Sequence, residues 1–116
     1  MKVGDRRPTA RIAGVGYSTP SRRESSEAIE ARIQVAAGCL PVPLGTLATV
    51  SGIRTRFVVG PGEFASTLAV SAGRSALADA GLDPADIDLM IFASASQDLV
   101  EPATAHIVAD ALGIRG

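Results

Sequence analysis

The chain has 116 residues, 47% of them hydrophobic and 20% charged, a composition that indicates a folded domain and excludes a disordered chain. A formal net charge of −1 leaves no basic surface for nucleic acid or an anionic membrane. No run of sequence approaches the roughly 18 apolar residues that a membrane helix needs.

The length and the cysteine content further limit the class of protein to which the chain can belong. Residues 1–116 are short enough for one domain at most. The first nine residues are polar and basic and lack an apolar stretch, so we expect no secretory signal. Because the single cysteine, Cys39, cannot form an internal disulfide, we expect a cytoplasmic protein.

The first predicted element is a strand from Ala10 to Tyr17. Gly14 and Gly16 form a Gly-x-Gly pair within it, but the third glycine of the dinucleotide fingerprint is missing. We therefore interpret the two glycines as positions of close backbone packing, with phosphate binding as the less favoured alternative.

Two helices are predicted next. Ser25 is a suitable N-cap for a helix that runs to about Ala37 and ends at Gly38. Residues 44–50 predict a second, shorter helix. Cys39 lies between them without an evident cationic partner, so a packed or idle thiol is favoured over a nucleophile.

The segment Ile53 to Val59 alternates and predicts a half-exposed strand with Arg54 and Arg56 on one face. Two interpretations of the arginines remain open. The first is a solvated or ion-paired face. The second is contact with the phosphate of a pantetheine or a nucleotide.

Gly60-Pro61-Gly62 is typical of a turn. A long helix is predicted from Phe64 to Ala80, because apolar residues recur every fourth position, and Gly81 ends it. Asp83 and Pro84 then predict one further turn, with Asp83 as the cap.

An unbroken apolar run, Leu89-Met90-Ile91-Phe92-Ala93, predicts a central strand that is covered on both faces. It leads through the small-residue loop Ser94-Ala95-Ser96-Gln97-Asp98 to a final helix that ends at Gly113. Pro102 fits the first helical position, which places Glu101 near the N-cap. His106 and Asp110, one turn apart, are expected to form an exposed pair.

The order of strands and helices predicts an α/β fold with a mainly parallel sheet. Elements that would complete such a sheet are missing from the chain. We therefore expect an open edge, an apolar patch, marginal stability and self-association.

Three motifs in register carry a family resemblance. Residues 13–20 (AGVGYSTP), 51–56 (SGIRTR) and 94–114 (SASQDLVEPATAHIVADALGI) resemble matching segments of ketoacyl synthase III-type condensing enzymes of the thiolase superfamily. Within that family, Leu99-Val100-Glu101-Pro102 is most similar to the enzymes that join two fatty acyl-CoAs head to head in olefin biosynthesis.

The resemblance implies the first part of a thiolase-like half and a role in Claisen condensation of acyl thioesters. It implies acyl-CoA or acyl carrier protein thioesters as substrates, a homo- or heterodimer with a condensing-enzyme subunit, and no cofactor or metal. In the head-to-head enzymes a Glu matching Glu101 reaches the partner's active site as the base. Arg54 and Arg56 are the candidate substrate-binding residues.

Two departures from the family pattern stand out. The Trp and Arg that CoA-using members place before the Gly-Ile motif correspond to about Thr46 and Val50 here. The family's Cys, His and Asn machinery would also follow the end of this chain, which contains no asparagine.

Three hypotheses therefore stay open. The chain is an amino-terminal segment of a condensing enzyme, or a non-catalytic module that docks onto a complete condensing-enzyme subunit. An unrelated nucleotide-binding domain is the least favoured, since no complete phosphate loop is present. For Glu101 the alternative to catalysis is an ordinary acidic residue at a helix start.

Overall fold

A computed structural model describes residues 10–38 and 43–115. The elements in these ranges are β1 (Arg22–Ser25), α1 (Ser26–Ala37), α2 (Thr46–Ser51), β2 (Thr55–Val58), α3 (Ala65–Ala80), a 3-10 turn (Pro84–Asp86) and α4 (Thr104–Leu112). None of the helices in these ranges is both long and apolar enough to cross a membrane. Cys39 lies outside the described residues, so the interpretation of its thiol stays a prediction.

The sheet of the described residues is a two-stranded antiparallel ribbon, in which Arg22 of β1 lies opposite Val58 of β2 and Ser25 lies opposite Thr55. No strand was predicted at β1, because its residues, Arg-Arg-Glu-Ser, show no alternation of apolar and polar side chains. Across the ribbon, the Arg23 guanidinium lies 5.4 Å from the centroid of the Phe57 ring. A cation over a ring face is attracted by the ring quadrupole, so this pair supports the register.

Glu63 links the chain just before β1 to the chain just after β2. The Glu63 carboxylate accepts hydrogen bonds from the Gly60 amide at 2.6 Å and from the Ser21 amide at 2.9 Å. These donors, Gly60 first and then Ser21, lower the pKa of Glu63 because they stabilise its ionised form. The turn at residues 60–62 is confirmed, with Gly62 at a φ of 77°.

Helices α1 and α2 are confirmed, α2 with a start at Thr46. The Ser25 hydroxyl accepts from the Ala28 amide at 3.1 Å, and Gly38 ends α1 in the left-handed conformation. Glu30 of α1 is 2% exposed and accepts from the Gly45 amide at 2.5 Å and from the Leu47 amide. A buried carboxylate of one helix thus caps the unpaired amides at the start of the other.

Helix α3 is confirmed, and the glycine pair packs closely against it as predicted. A Cβ at Gly14 would lie 2.7 Å from the Ala76 carbonyl oxygen, and one at Gly16 would overlap the Ala72 and Ala76 backbone. The Val15 amide donates to the Asp79 carboxylate at 3.0 Å. The absence of side chains at 14 and 16 therefore lets this segment lie directly on the helix.

The mainly parallel sheet and the central strand at Leu89–Ala93 are wrong for the structure as described. In the described ranges neither residues 10–17 nor residues 87–93 form a strand, and neither pairs with a neighbouring one. Leu89 and Ile91 are 75% and 79% exposed, whereas Met90 and Phe92 are half-buried. Within the described residues, the apolar run is therefore covered on one side only.

The junction of α3 and α4 contains Val108, the one buried hydrophobic residue of the described ranges. A Cβ at Gly73 would lie 2.9 Å from Leu112 Cδ1, and Arg74 Nη2 donates to the Ala111 carbonyl at 3.2 Å. A hydrophobic core this small agrees with the expectation of marginal stability, since apolar burial is the main favourable term in folding.

The close approach at Gly14 is testable. We expect Gly14→Ala to lower the free energy of unfolding by about 1–3 kcal/mol, because the added methyl collides with helix backbone that cannot rotate away. Ile12→Ala is the control: Ile12 lies on the same segment but is 85% exposed, so the change should stay within about 0.5 kcal/mol. Equal urea midpoints for the two variants would contradict the packing described.

Self-association is expected through the open side of residues 89–91. Replacing Leu89 and Ile91 together by Ser should lower the sedimentation-average mass at a given concentration, because it removes two exposed apolar side chains. Val35→Ser on α1 is the control, since Val35 is 86% exposed but on another element. If the double variant and Val35→Ser lower the average mass equally, self-association does not depend specifically on the surface at residues 89–91.

Candidate functional site

The segment that precedes α4 places Glu101 outside the helix. Helix α4 begins at Thr104 with Ala103 as its N-cap, so the prediction of Pro102 at the first helical position is wrong by two residues. Glu101 is exposed, and no hydrogen bond or ion pair of its carboxylate is found within the described residues. The interaction of a charge with a helix end fades within the first turn, so the helix-cap interpretation of Glu101 loses its main support.

A small cavity lies beside this segment. Its lining is mixed polar and apolar, and its volume is about 180 Å³. The lining residues are Phe92, Ser94, Gln97, Val100, Ala103, Thr104 and Ala105. Substrate pockets usually enclose roughly 300–1,000 Å³, so this cavity is too small to enclose an acyl thioester by itself.

Asp98 joins this segment to α3. Its two carboxylate oxygens accept from the Ser66 amide at 3.2 and 3.3 Å, across 32 residues of sequence. Ser66 is the second residue of α3, where backbone amides have no partner within the helix. No local sequence pattern indicates a contact over such a separation, so this role of Asp98 was not predicted.

The two candidate substrate-binding arginines lie in different surroundings. Arg56 is half-buried in β2, and its guanidinium donates to the Ser26 hydroxyl at 2.5 Å and to the Ser51 hydroxyl at 3.1 Å. Arg54 precedes the strand and is exposed. Arg56 is thus held by hydroxyl groups of α1 and α2, whereas Arg54 has the exposed position that either interpretation of the arginines requires.

The structure does not join these arginines to Glu101. Across residues 10–38 and 43–115, no hydrogen bond or ion pair links Arg54 or Arg56 to residues 94–103. His106 and Asp110 are both exposed, and no ion pair between them is found in this part of the chain. The expected exposed position of this pair is confirmed, but not the pairing.

The contacts of Arg56 lead to a test. Arg56→Ala should lower the free energy of unfolding by about 1–3 kcal/mol, because it leaves the buried Ser26 hydroxyl with one partner fewer. Arg54→Ala, the matched control with an exposed arginine, should change it by less than about 0.5 kcal/mol. Chemical denaturation measures both, and a loss of stability in the Arg54 variant alone would reverse this assignment.

The known proteins that are similar to this chain in sequence are named as acyl-carrier-protein synthases. No protein-family model matches the chain. It is 42% identical over 106 residues to 3-oxopimeloyl-[acyl-carrier-protein] synthase of Rhodothermus marinus, a match that covers 91% of this chain and 29% of that protein. It is 38% identical over 107 residues to beta-ketoacyl-[acyl-carrier-protein] synthase III of Erythrobacter litoralis, covering 92% of this chain and 31% of that protein.

The solved structures that superpose on this chain include proteins of the same kind. The 3-oxoacyl-(acyl carrier protein) synthase III, FabH, of Xanthomonas oryzae pv. oryzae superposes with a TM-score of 0.73 at 35% identity, covering 88% of this chain and 30% of that one. An OleA variant of Xanthomonas campestris superposes with a TM-score of 0.74 at 35% identity, covering 90% of this chain and 31% of that one.

The chain is thus similar in sequence and in structure to ketoacyl synthase III-type proteins, and it spans about 30% of their length. The condensing-enzyme resemblance deduced from the three sequence motifs is confirmed at this level.

Proposed function

We propose that the chain is the amino-terminal segment of a ketoacyl synthase III-like enzyme that condenses acyl thioesters. The observation that carries this proposal is the 42% identity over 106 residues to an acyl-carrier-protein-dependent synthase, together with a superposition over 88% of the chain. Because the chain matches under a third of either protein, the activity belongs to an assembly that includes the remaining part of the fold.

The reaction requires a nucleophile that the described residues do not supply. Condensing enzymes of this type hold one acyl group as a thioester and form a carbon–carbon bond at its carbonyl, for which the resemblance implies a Cys, a His and an Asn. The chain contains one cysteine, one histidine and no asparagine, and His106 is exposed on α4. We therefore propose that the chain alone does not turn over acyl thioesters.

Glu101 is the proposed catalytic base. It would take a proton from the α-carbon of one acyl thioester, and the resulting carbanion would attack the carbonyl carbon of the second. A carbon–carbon bond forms there as the C–S bond of the second thioester breaks and its thiolate leaves. A base must lie within hydrogen-bond reach of the proton it removes, which an exposed carboxylate outside a helix can achieve across an interface. The exposure of Glu101 and its lack of a partner in the described chain support this role over helix capping.

Arg54 and Arg56 are the proposed substrate-binding residues. Arg54 is exposed and so is the better placed of the two to contact a phosphate of CoA or of a carrier-protein pantetheine. The guanidinium of Arg56 is already engaged with Ser26 and Ser51. We propose that Arg56 contributes by holding strand β2, whose first residue directly follows Arg54.

A docking module is the second candidate function. The exposed apolar side chains of Leu89 and Ile91, at 75% and 79%, favour it, because such a surface is stabilised by contact with another protein. In that case the chain would bind a complete condensing-enzyme subunit as a heterodimer. We propose the cytoplasm as the compartment for either assembly, on the cysteine argument.

A chimera tests the condensing role. Residues 10–115 replace the matching segment of the OleA neighbour, and condensation of acyl-CoA thioesters is measured by CoA release and by mass spectrometry of the product. We expect Glu101→Gln to lower kcat by about 10²–10⁴-fold, the usual contribution of a general base, because an amide cannot accept the proton. The control Glu27→Gln removes an exposed carboxylate from α1 and should leave kcat unchanged.

The outcomes separate the two candidate functions. A folded, dimeric chimera with full activity in the Glu101 variant would eliminate Glu101 as the base. A folded chimera without any activity, together with tight binding of the intact chain to a complete OleA subunit, would favour the docking module.

A further inference from the structure

Residues 88–102 are held to the rest of the chain by very few polar contacts. Within the described ranges, a single hydrogen-bonded link joins this segment to another element, between the Asp98 carboxylate and the Ser66 amide. The other hydrogen bond of the segment is local, from the Ser96 amide to the Ser94 hydroxyl. The position of the segment therefore depends strongly on Asp98.

The link is chemically favourable at both ends. Helix α3 has Phe64 as its N-cap, a residue without a side-chain acceptor, so the amide of Ser66 needs a partner from elsewhere. Ser66 is 7% exposed, which raises the cost of leaving that amide unpaired. The positive end of the helix dipole also favours the ionised carboxylate. Asp98 thus supplies a cap that the local sequence of α3 lacks.

Glu101 follows Asp98 by only three residues. A fully extended chain advances roughly 3.3–3.6 Å per residue, so the link confines Glu101 to within about 11 Å of the anchored position. Gln97, which precedes Asp98, and Val100, which precedes Glu101, both line the small cavity beside this segment. A catalytic group needs such restriction, because displacement of about 1 Å lowers reaction rates strongly.

We infer that Asp98 is a positioning residue for Glu101: by capping α3 at Ser66 it holds the segment that presents the base. This inference rests on the proposed function of Glu101. Asp98 itself contacts no reacting atom, since both of its oxygens face the Ser66 amide.

The first test measures the link in the intact chain, without any catalysis. Amide hydrogen exchange at Ser66 should accelerate on the order of tenfold in Asp98→Ala, because the charge-assisted hydrogen bond of that amide is lost. Asp98→Asn should fall between wild type and Asp98→Ala, since its amide oxygen still accepts but carries no charge. The control is Asp88→Asn, an exposed residue at the start of the same segment.

Exchange in Asp98→Ala that matches the Asp88 control would overturn the inference. Circular dichroism of each variant distinguishes loss of the link from general unfolding. If Asp98→Ala unfolds the chain, the comparison of Asp98→Asn with Asp88→Asn decides the question, because these two variants differ only in which carboxylate loses its charge.

The second test uses the OleA chimera and a double-mutant cycle. Asp98→Ala should lower kcat on the order of tenfold with a smaller change in KM, and Asp98→Asn should restore part of the loss. In a Glu101→Gln background Asp98→Ala should cause no further loss, because the base that it positions is gone. If the two substitutions lower kcat by factors that multiply in the double variant, the positioning role alone would be overturned. If Glu101→Gln leaves kcat unchanged, the proposed base would be overturned, and with it the role of Asp98.

Discussion

Close approach to helix α3 is the constraint on which the rest of the described structure depends. The segment at Gly14 and Gly16 lies on the Ala72–Ala80 side of the helix at distances that leave no room for a Cβ. On α3 itself, Gly73 admits the Leu112 side chain of α4. Small residues at these contacts let backbones approach closely, so α3 receives neighbours that a helix with bulky side chains would hold several ångströms further away.

Hydrogen bonds of polar side chains make many of the contacts between helices and strands. Ser26, Glu30, Ser66 and Thr104 are all buried, and in the described ranges only Val108 joins them as a buried hydrophobic residue. Glu30 caps α2 and Asp98 caps α3 at long range, while Arg56 ties β2 to α1 and α2. Such contacts specify which elements meet, but their net contribution to stability is modest because water competes for the same groups.

The apolar residues that would normally supply the larger stabilisation are left partly open. Leu89 and Ile91 face outward, although the run that contains them has the composition of a doubly covered strand. This arrangement supports the proposal that the chain works as one part of a larger condensing assembly. It also suits a segment whose proposed catalytic group, Glu101, reaches a site built mainly by other residues.

The sequence by itself determined the local elements. Helices α1 and α3, their glycine ends at Gly38 and Gly81, and the packing role of Gly14 and Gly16 all follow from short-range pattern and backbone sterics, and all are found. The family resemblance also came from the sequence. It rests on three motifs in register, and the comparisons with known proteins give relatives of the same type.

Only the tertiary structure decided which elements pair and which polar groups meet. Strand β1 exists because β2 lies beside it, whereas residues 87–93 have no strand partner in the described ranges, whatever their composition. The bond of Asp98 to Ser66 and the burial of Arg56 depend on contacts across about 30 residues, as separations of 32 and 30 in sequence show. Pattern along a chain reports the preferences of single segments, whereas a pairing is a property of two segments brought together by the fold.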